Sequence, residues 1–402
     1  MDSLLQERWE DLIAIDGLIA VEIELCGRFV RDFPNFAPAW LKYGAALMKV
    51  FRLDEAEQSL HRALNLLPRK RRYPECLMGH IFRHRADIAT AEQWYRQAIA
   101  TDPDHTDGYV YLGAMLARVG RLVEAEEIHR RGTECSKGCI DEAFLNLGLV
   151  LRGLEQYSAA TGCFTEAIRR DPHDQSAKHA LRDCRRTQKL FSGKIKRAAS
   201  ANSASAPDNS DNSDWRQIIR MWESFAFRIE LCKRYVHAHP DSSPGWTAYG
   251  CGLSDLSRFD LAEHALRRAI SLSEVTRPMH CEYMGDIFRH RANLATAEEW
   301  FRAGIAAHPE DSLAYRALGR MQAQSGRLIE AEDTLQTATR CTTGDINEAF
   351  YRLGLVQRAL QHYLQSTESF KEAATRNPKH KAACRAQTDC RRAIELLKAE
   401  HV

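Results

Sequence analysis

The chain has 402 residues, 44% hydrophobic and 27% charged, and its 56 Lys and Arg against 54 Asp and Glu leave a net charge of +2. With only 12 prolines and 22 glycines it is neither collagen-like nor low-complexity, and it holds enough apolar material for two or three ordinary domain lengths. The near balance of charge supplies no global field for nucleic acid or a membrane surface.

Segment 3–34 comes first, ends in Phe33-Pro34, and reads as one or two divergent helices that cover the first unit of a periodic region. A short period then sets in, with Gly44, Gly79, Gly113 and Gly148 spaced 35, 34 and 35 residues apart. Trp40, Tyr43 and Leu47 surround Gly44, and Phe144, Leu147 and Leu151 surround Gly148. These offsets of −4, −1, 0 and +3 fall on one face of a helix. Twelve residues after each glycine stands a small residue (Ala56, Ala91, Ala125, Ala160), and four later a larger one (Leu60, Tyr95, His129, Phe164). Glycine on a first helix and alanine on a second let two backbones approach, and the large residue is expected to fill space against the next repeat. Pro68, Pro103 and Pro172 end the second helices, since proline cannot continue the hydrogen-bond ladder. A polar helix, DQSAKHALRDCRRTQKL, comes next as the expected cap of a solenoid end.

Residues 191–214 lose all periodicity and are rich in Ser, Asn and Ala. They read as a flexible linker, whose 24 residues would span about 27 Å. Beyond it the whole pattern returns. Trp9, Cys26, Gly44, Gly79, Gly113, Gly148 and Cys184 recur 206 positions later as Trp215, Cys232, Gly250, Gly285, Gly319, Gly354 and Cys390. The expected organisation is a tandem duplication: a first array at 1–190, the linker, and a second array at 215–402. In the second array the small residues are Ala262, Ala297, Ala331 and, as an exception, Ser366; the large ones are Leu266, Phe301, Leu335 and Phe370.

A stretch such as AWLKYGAALMKVFRLDEAEQSLHRALNLLP resembles the tetratricopeptide repeat, a helix–turn–helix unit of about 34 residues. Repeats in this register occupy 37–70, 72–105, 106–139 and 141–174, then 243–276, 278–311, 312–345 and 347–380. Lys137, Glu274 and Thr343 stand where a terminal proline is usual, which leaves those boundaries open. The resemblance implies an all-α fold, an α-solenoid with two similar right-handed superhelical halves. It also implies a non-catalytic protein–protein interaction scaffold or adaptor whose first helices line a concave groove.

If offsets −4, −1, 0 and +3 face the core, offsets −3, +1, +4 and +5 lie opposite. These positions hold Lys49, Cys76, His80, Arg83, His84, Ala114, Arg118 and Arg152 in the first half, and Glu282, Asp286, Arg289, His290, Arg316, Arg320 and Arg358 in the second. Their many forked guanidinium donors suit carboxylates, so the expected partner is a protein with an acidic or C-terminal carboxylate segment. The Lys/Asn clamp that some relatives use for a C-terminal carboxylate lacks its asparagines here. The block GHIFRHRADIATAEQWYRQAI keeps 14 of 21 residues in the second half. Its Arg83-His84-Arg85 and Arg289-His290-Arg291 read either as cations complementing a helix C-terminus or as paired groove contacts.

Other features point to bland roles. His80 and His84, or Asp286 and His290, lie one helical turn apart but give two ligands per half, so no metal or other cofactor is expected. His129 is expected as a satisfied core histidine, and Arg69-Lys70-Arg71-Arg72 as a solvated loop, its counterpart at 274–277 lacking the run. Trp94 and Trp300 read as packing between repeats. Twelve cysteines are too dilute for a disulfide-dense secreted module, and Cys135/Cys139 lack a second pair for zinc. Met1-Asp2-Ser3 opens no signal peptide, and the apolar stretch Leu12–Val21, broken by Asp16, is too short to span a bilayer. A cytoplasmic protein without membrane insertion is therefore expected, and self-association through solenoid ends stays open. Nucleic acid is not the expected partner, because the groove residues change from repeat to repeat and form no base-reading set. A nucleic-acid-binding helical repeat or a regulatory subunit of an enzyme complex is the alternative reading; no GxSxG, P-loop, HExxH or dinucleotide fingerprint is present.

Overall fold

The computed structural model describes residues 9–10, 12, 17–67, 71–191, 225–273 and 277–399. The expected linker beyond Phe191, Trp215, Pro68, Arg69, Lys70 and residues 274–276 lie outside the described residues. Among the described residues there are twenty α-helices and no strands. They are α1 (Ile19–Asp32), α2 (Ala37–Lys49), α3 (Leu53–Leu66), α4 (Arg72–His84), α5 (Ile88–Thr101), α6 (Thr106–Arg118), α7 (Leu122–Thr133), α8 (Ile140–Gly153), α9 (Tyr157–Arg170) and α10 (Gln175–Phe191). The second half supplies α11 (Phe225–Ala238), α12 (Ser243–Asp255), α13 (Phe259–Ser271), α14 (Pro278–His290), α15 (Leu294–Ala307), α16 (Ser312–Gln324), α17 (Leu328–Ala338), α18 (Ile346–Ala359), α19 (Tyr363–Arg376) and α20 (Lys381–Ala399). None of these is long and apolar enough to cross a membrane.

The helices pack into two compact units. Unit 1 comprises Met1–Thr101 and Leu294–Val402, and unit 2 comprises Asp102–Asn293. Each unit therefore draws on both sequence halves.

Seven of the eight repeats show the same steric relation between the glycine and the large residue sixteen positions on. All eight small residues, Ala56 through Ser366, are buried, as are all eight large ones. A Cβ added to Gly79 would lie 2.5 Å from the Tyr95 ring, one on Gly148 2.6 Å from Phe164, and one on Gly250 2.7 Å from Leu266. The large residue thus fills the notch left by the glycine of its own repeat, and it also shares a core cluster with the helix that follows, Phe164 with Ala180 and Cys184 and Phe370 with Ala386 and Cys390. The missing Cβ opens a recess only toward the helix antiparallel to it, so the side chain twelve to sixteen residues on reaches it first. Ser366 fits the alanine position because its hydroxyl donates to the Gly354 carbonyl at 2.8 Å.

The repeats that lack a terminal proline close differently. Helices α7 and α17 stop at Thr133 and Ala338, and the chain turns back. Thr106 N–H donates to the Lys137 carbonyl and Ser312 N–H to the Thr343 carbonyl, both at 3.1 Å. Gly138 and Gly344 hold φ near +87° and +85°, which glycine adopts without strain.

The polar helices α10 and α20 are more than caps. Asp183 of α10, fully buried, accepts the N–H groups of Ala226 at 3.0 Å and Phe227 at 3.2 Å, in the first turn of α11. Asp389 of α20 does the same for Ala20 at 2.9 Å and Val21 at 3.3 Å, in the first turn of α1. These N–H groups have no partner within their own helix, and a carboxylate also complements the helix dipole. The expectation of a free solenoid end is corrected: each terminal helix is a joint, polar outward and anchored inward.

Candidate partner-binding site

The residues expected in the groove divide into two groups. Arg152 and Arg358 are nearly buried and face the joint aspartates, with Nη1 3.3 Å from Asp183 and 3.2 Å from Asp389 respectively. Burial raises the pKa of both carboxyls, while the helix N–H groups and the guanidinium pull it down. His80 accompanies the Tyr95 hydroxyl, 2.8 Å from its Nδ1; burial and then Arg83 push its pKa down to about 3, so the ring is neutral. Arg83 donates to His84 Nε2 at 3.3 Å and Arg289 to His290 Nε2 at 3.1 Å, and Asp286 accepts from Arg289 at 3.0 Å. The imidazole of His84 meets the Phe51 ring edge-on at 5.1 Å, while that of His290 stacks on Phe259 at 5.5 Å. Arg118, the last residue of α6, is exposed. Trp94 packs on His61 of the preceding repeat. His129 is buried as expected, but its Nδ1 finds no partner among the described residues.

The second group gathers in unit 1. A cavity of about 250 Å³ is lined by Lys49 of α2, Arg320 of α16 and Arg352 and Arg358 of α18, with Phe51, Ala323, Leu328 and Leu355 among its apolar walls. Lys49 pairs with Glu22 at 3.1 Å and Arg352 with Glu348 at 2.7 Å. Burial lowers the pKa of the Arg352 guanidinium; Glu348 opposes this, and the nearby Arg320 and Arg316 add to it. Two further guanidinium groups thus stand close enough for Arg352 to feel their charge. The surroundings favour an anion.

The 206-residue repeat supplies an internal control. The counterparts of Lys49, Arg316, Arg320 and Arg352 are Asp255, Val110, Ala114 and Asn146. In unit 2 Asp255 takes Arg228 at 2.6 Å. Unit 2 builds the same helix pairs from the same core positions without these cations, so the fold does not require them. Arg152 and Arg358, by contrast, are kept in both halves together with the aspartates that they pair. Arg352 escaped the offset rule because it lies two residues before Gly354; the difference from Asn146 was the signal that could have found it. Among the described residues no group of three or more His, Cys, Asp or Glu could hold a metal ion, and all twelve cysteines are free thiols.

Helix pairs of this size, repeated along the chain and leaving a lined recess, make an α-solenoid. Tetratricopeptide repeat models match residues 284–346 and, separately, 141–174 and 348–380. Human tetratricopeptide repeat protein 7A is 30% identical over 129 residues, which are 32% of this chain and 15% of that protein. The chain therefore spans only a small part of that relative's length. Among solved structures, yeast Tom70 shares 15% identity at a TM-score of 0.35, over 81% of this chain and 76% of that one. Cut9, from the APC/C hetero-tetramer Cut9-Hcn1, shares 12% at a TM-score of 0.36, over 97% and 88%. YrrB, described as having an unusual peptide-binding site, shares 15% at 0.32, over 56% and 97%. These matched segments identify the chain as a tetratricopeptide repeat protein.

Proposed function

We propose that this repeat protein is an interaction scaffold that works by binding, without catalysis of its own, and takes an acidic segment of a partner protein at unit 1. The segment's carboxylates would sit on Lys49, Arg320 and Arg352. The observation that carries this reading is the ring of four cations about one cavity, three of them absent from the equivalent positions of the other half. Guanidinium groups bind carboxylates through two parallel hydrogen bonds, and partial burial strengthens such pairs relative to exposed ones. A set of free thiols accords with a reducing, cytoplasmic setting.

The test is selection of peptides from a random displayed library on the full chain. Enrichment should favour Asp and Glu, and the enriched peptides should lose binding to Arg320→Ala/Arg352→Asn, the residues that unit 2 carries. Enriched peptides with no acidic excess, or with equal binding to the folded double variant, would refute the reading.

A further inference from the structure

We infer that the partner segment carries one bulky apolar side chain among its carboxylates, and that the unit 1 cavity seats it. This rests on the acidic-segment reading and adds the feature that gives it specificity. Charge alone distinguishes an acidic stretch from a basic one; a pocket distinguishes one acidic stretch from another.

The size of the recess sets the scale. A cavity of about 150 Å³ is enough to take benzene in a protein interior, and here the volume is about 250 Å³. That is room for a phenyl, an indole or a branched aliphatic group, and too little for a folded element. The walls at Phe51, Ala323, Leu328 and Leu355 offer carbon. Water placed against them finds few hydrogen-bond partners, so an apolar group that displaces it gains.

Phe51 supplies a second observation. It sits in the turn between α2 and α3 with φ of +61°, a left-handed conformation that bulky residues rarely adopt. The equivalent turn in the other half has the same backbone, φ +57°, with Ser257. The turn does not ask for an aromatic ring. Its ring walls the cavity and rests on His84. The cations meanwhile are held in place: Glu22, Glu348 and Asp389 tether Lys49, Arg352 and Arg358. Fixed positive groups around a carbon-lined recess match an anchor residue with acidic neighbours, the arrangement in which one buried side chain carries most of the affinity.

The probes are fluorescein-labelled heptapeptides, blocked at both ends so that no terminal carboxylate contributes. A central phenylalanine, leucine or alanine is flanked by two acidic residues on each side, and a fourth peptide flanks phenylalanine with lysines. Fluorescence anisotropy with the full chain should show the phenylalanine and leucine peptides binding at least tenfold tighter than the alanine peptide. Ala323→Phe, which fills the recess, should reduce them to the alanine level. Phe51→Ser, the residue of the other half, should reduce the phenylalanine preference and guards against misfolding of the first variant. Equal binding of all three acidic peptides, unchanged by either variant, overturns the anchor and leaves the acidic reading standing. Tighter binding of the lysine-flanked peptide, or no acidic peptide binding at all, removes both.

Discussion

Asp389 accepts the backbone N–H of Ala20, a residue 369 positions earlier in the chain, at 2.9 Å. One carboxylate thereby serves three donors: the first turn of α1 twice, through Ala20 and Val21, and the buried Arg358. Asp389→Ala should therefore do more than remove a cap. It leaves helix N–H groups orphaned and a guanidinium buried without its countercharge, a loss of about 3–5 kcal/mol. Asp389→Asn keeps an acceptor and should lose less. Urea unfolding reads both, and a loss under about 1 kcal/mol for the alanine variant would show that the joint is not a stabilising element.

Two glycines make opposite predictions. Gly148→Ala gains about 1 kcal/mol in helix propensity. Its Cβ, however, would meet the fully buried Phe164 ring at 2.6 Å. Such overpacking costs about 1–3 kcal/mol, so the variant should be destabilised or at best neutral. Gly162, in the same helix pair, has nothing within 4 Å of an added Cβ. Gly162→Ala should gain about 0.5–1 kcal/mol. Thermal denaturation of the pair checks the steric reading against propensity alone.

His129 predicts a pH dependence. Burial lowers its pKa to about 4, from 6.5. In the unfolded chain it takes a proton near 6.5, so between 6.5 and 4 the unfolded state holds more protons and the native state loses stability as pH falls. The slope is about 1.4 kcal/mol per pH unit for one such group, with no contribution above 6.5. His129→Leu, which copies Leu335 at the equivalent place over Gly319, should remove this share of the slope. Unfolding midpoints at pH 7, 6, 5 and 4.5 give the answer; identical slopes in the two proteins would contradict it.

The helices α1 and α11 carry opposite charges at one site. Glu22, almost buried, lies 3.1 Å from both Lys42 and Lys49, whereas its counterpart Arg228 meets Asp255 at 2.6 Å. Docking α1 on the first repeat of the other half would set Glu22 against Asp255, and α11 would set Arg228 against two lysines. Lys49→Asp should destabilise, and Glu22→Arg/Lys42→Ala/Lys49→Asp, which copies the other half, should restore stability. A coupling of about 0.5–3 kcal/mol in the mutant cycle is expected, toward the low end because Lys49 is half exposed.

The repeat units were readable from the chain because the glycine and its filling residue are a short-range relation, stated again eight times over. Spacing shows that Gly148 and Phe164 share a stripe, but not that the ring enters the notch of its own glycine as well as facing the helix that follows. The joints were hidden for another reason. Asp183 and Asp389 stand on the buried side of polar helices within the repeated DCRR, but the groups that explain them, Ala226 and Ala20, belong to helices that precede a repeat array. The cavity needs residue 49 beside residues 319–359, a proximity that no periodicity encodes. Cations at the groove offsets were legible as a list; sorting them required knowing that Arg358 already has Asp389 while Arg320 stands near Arg352, which no groove offset contained.

Because the α20–α1 joint and the α10–α11 joint use equivalent residues, the first and last described helices lie against each other inside unit 1. The two joints are then interchangeable in their chemistry. A circularly permuted polypeptide, opened between α10 and α11 and spliced through a spacer from Ala399 to Ile19, would retain both joints and every helix pair of the repeats. New termini at that place would also let a fusion partner be carried there, leaving the recess at Arg320 untouched.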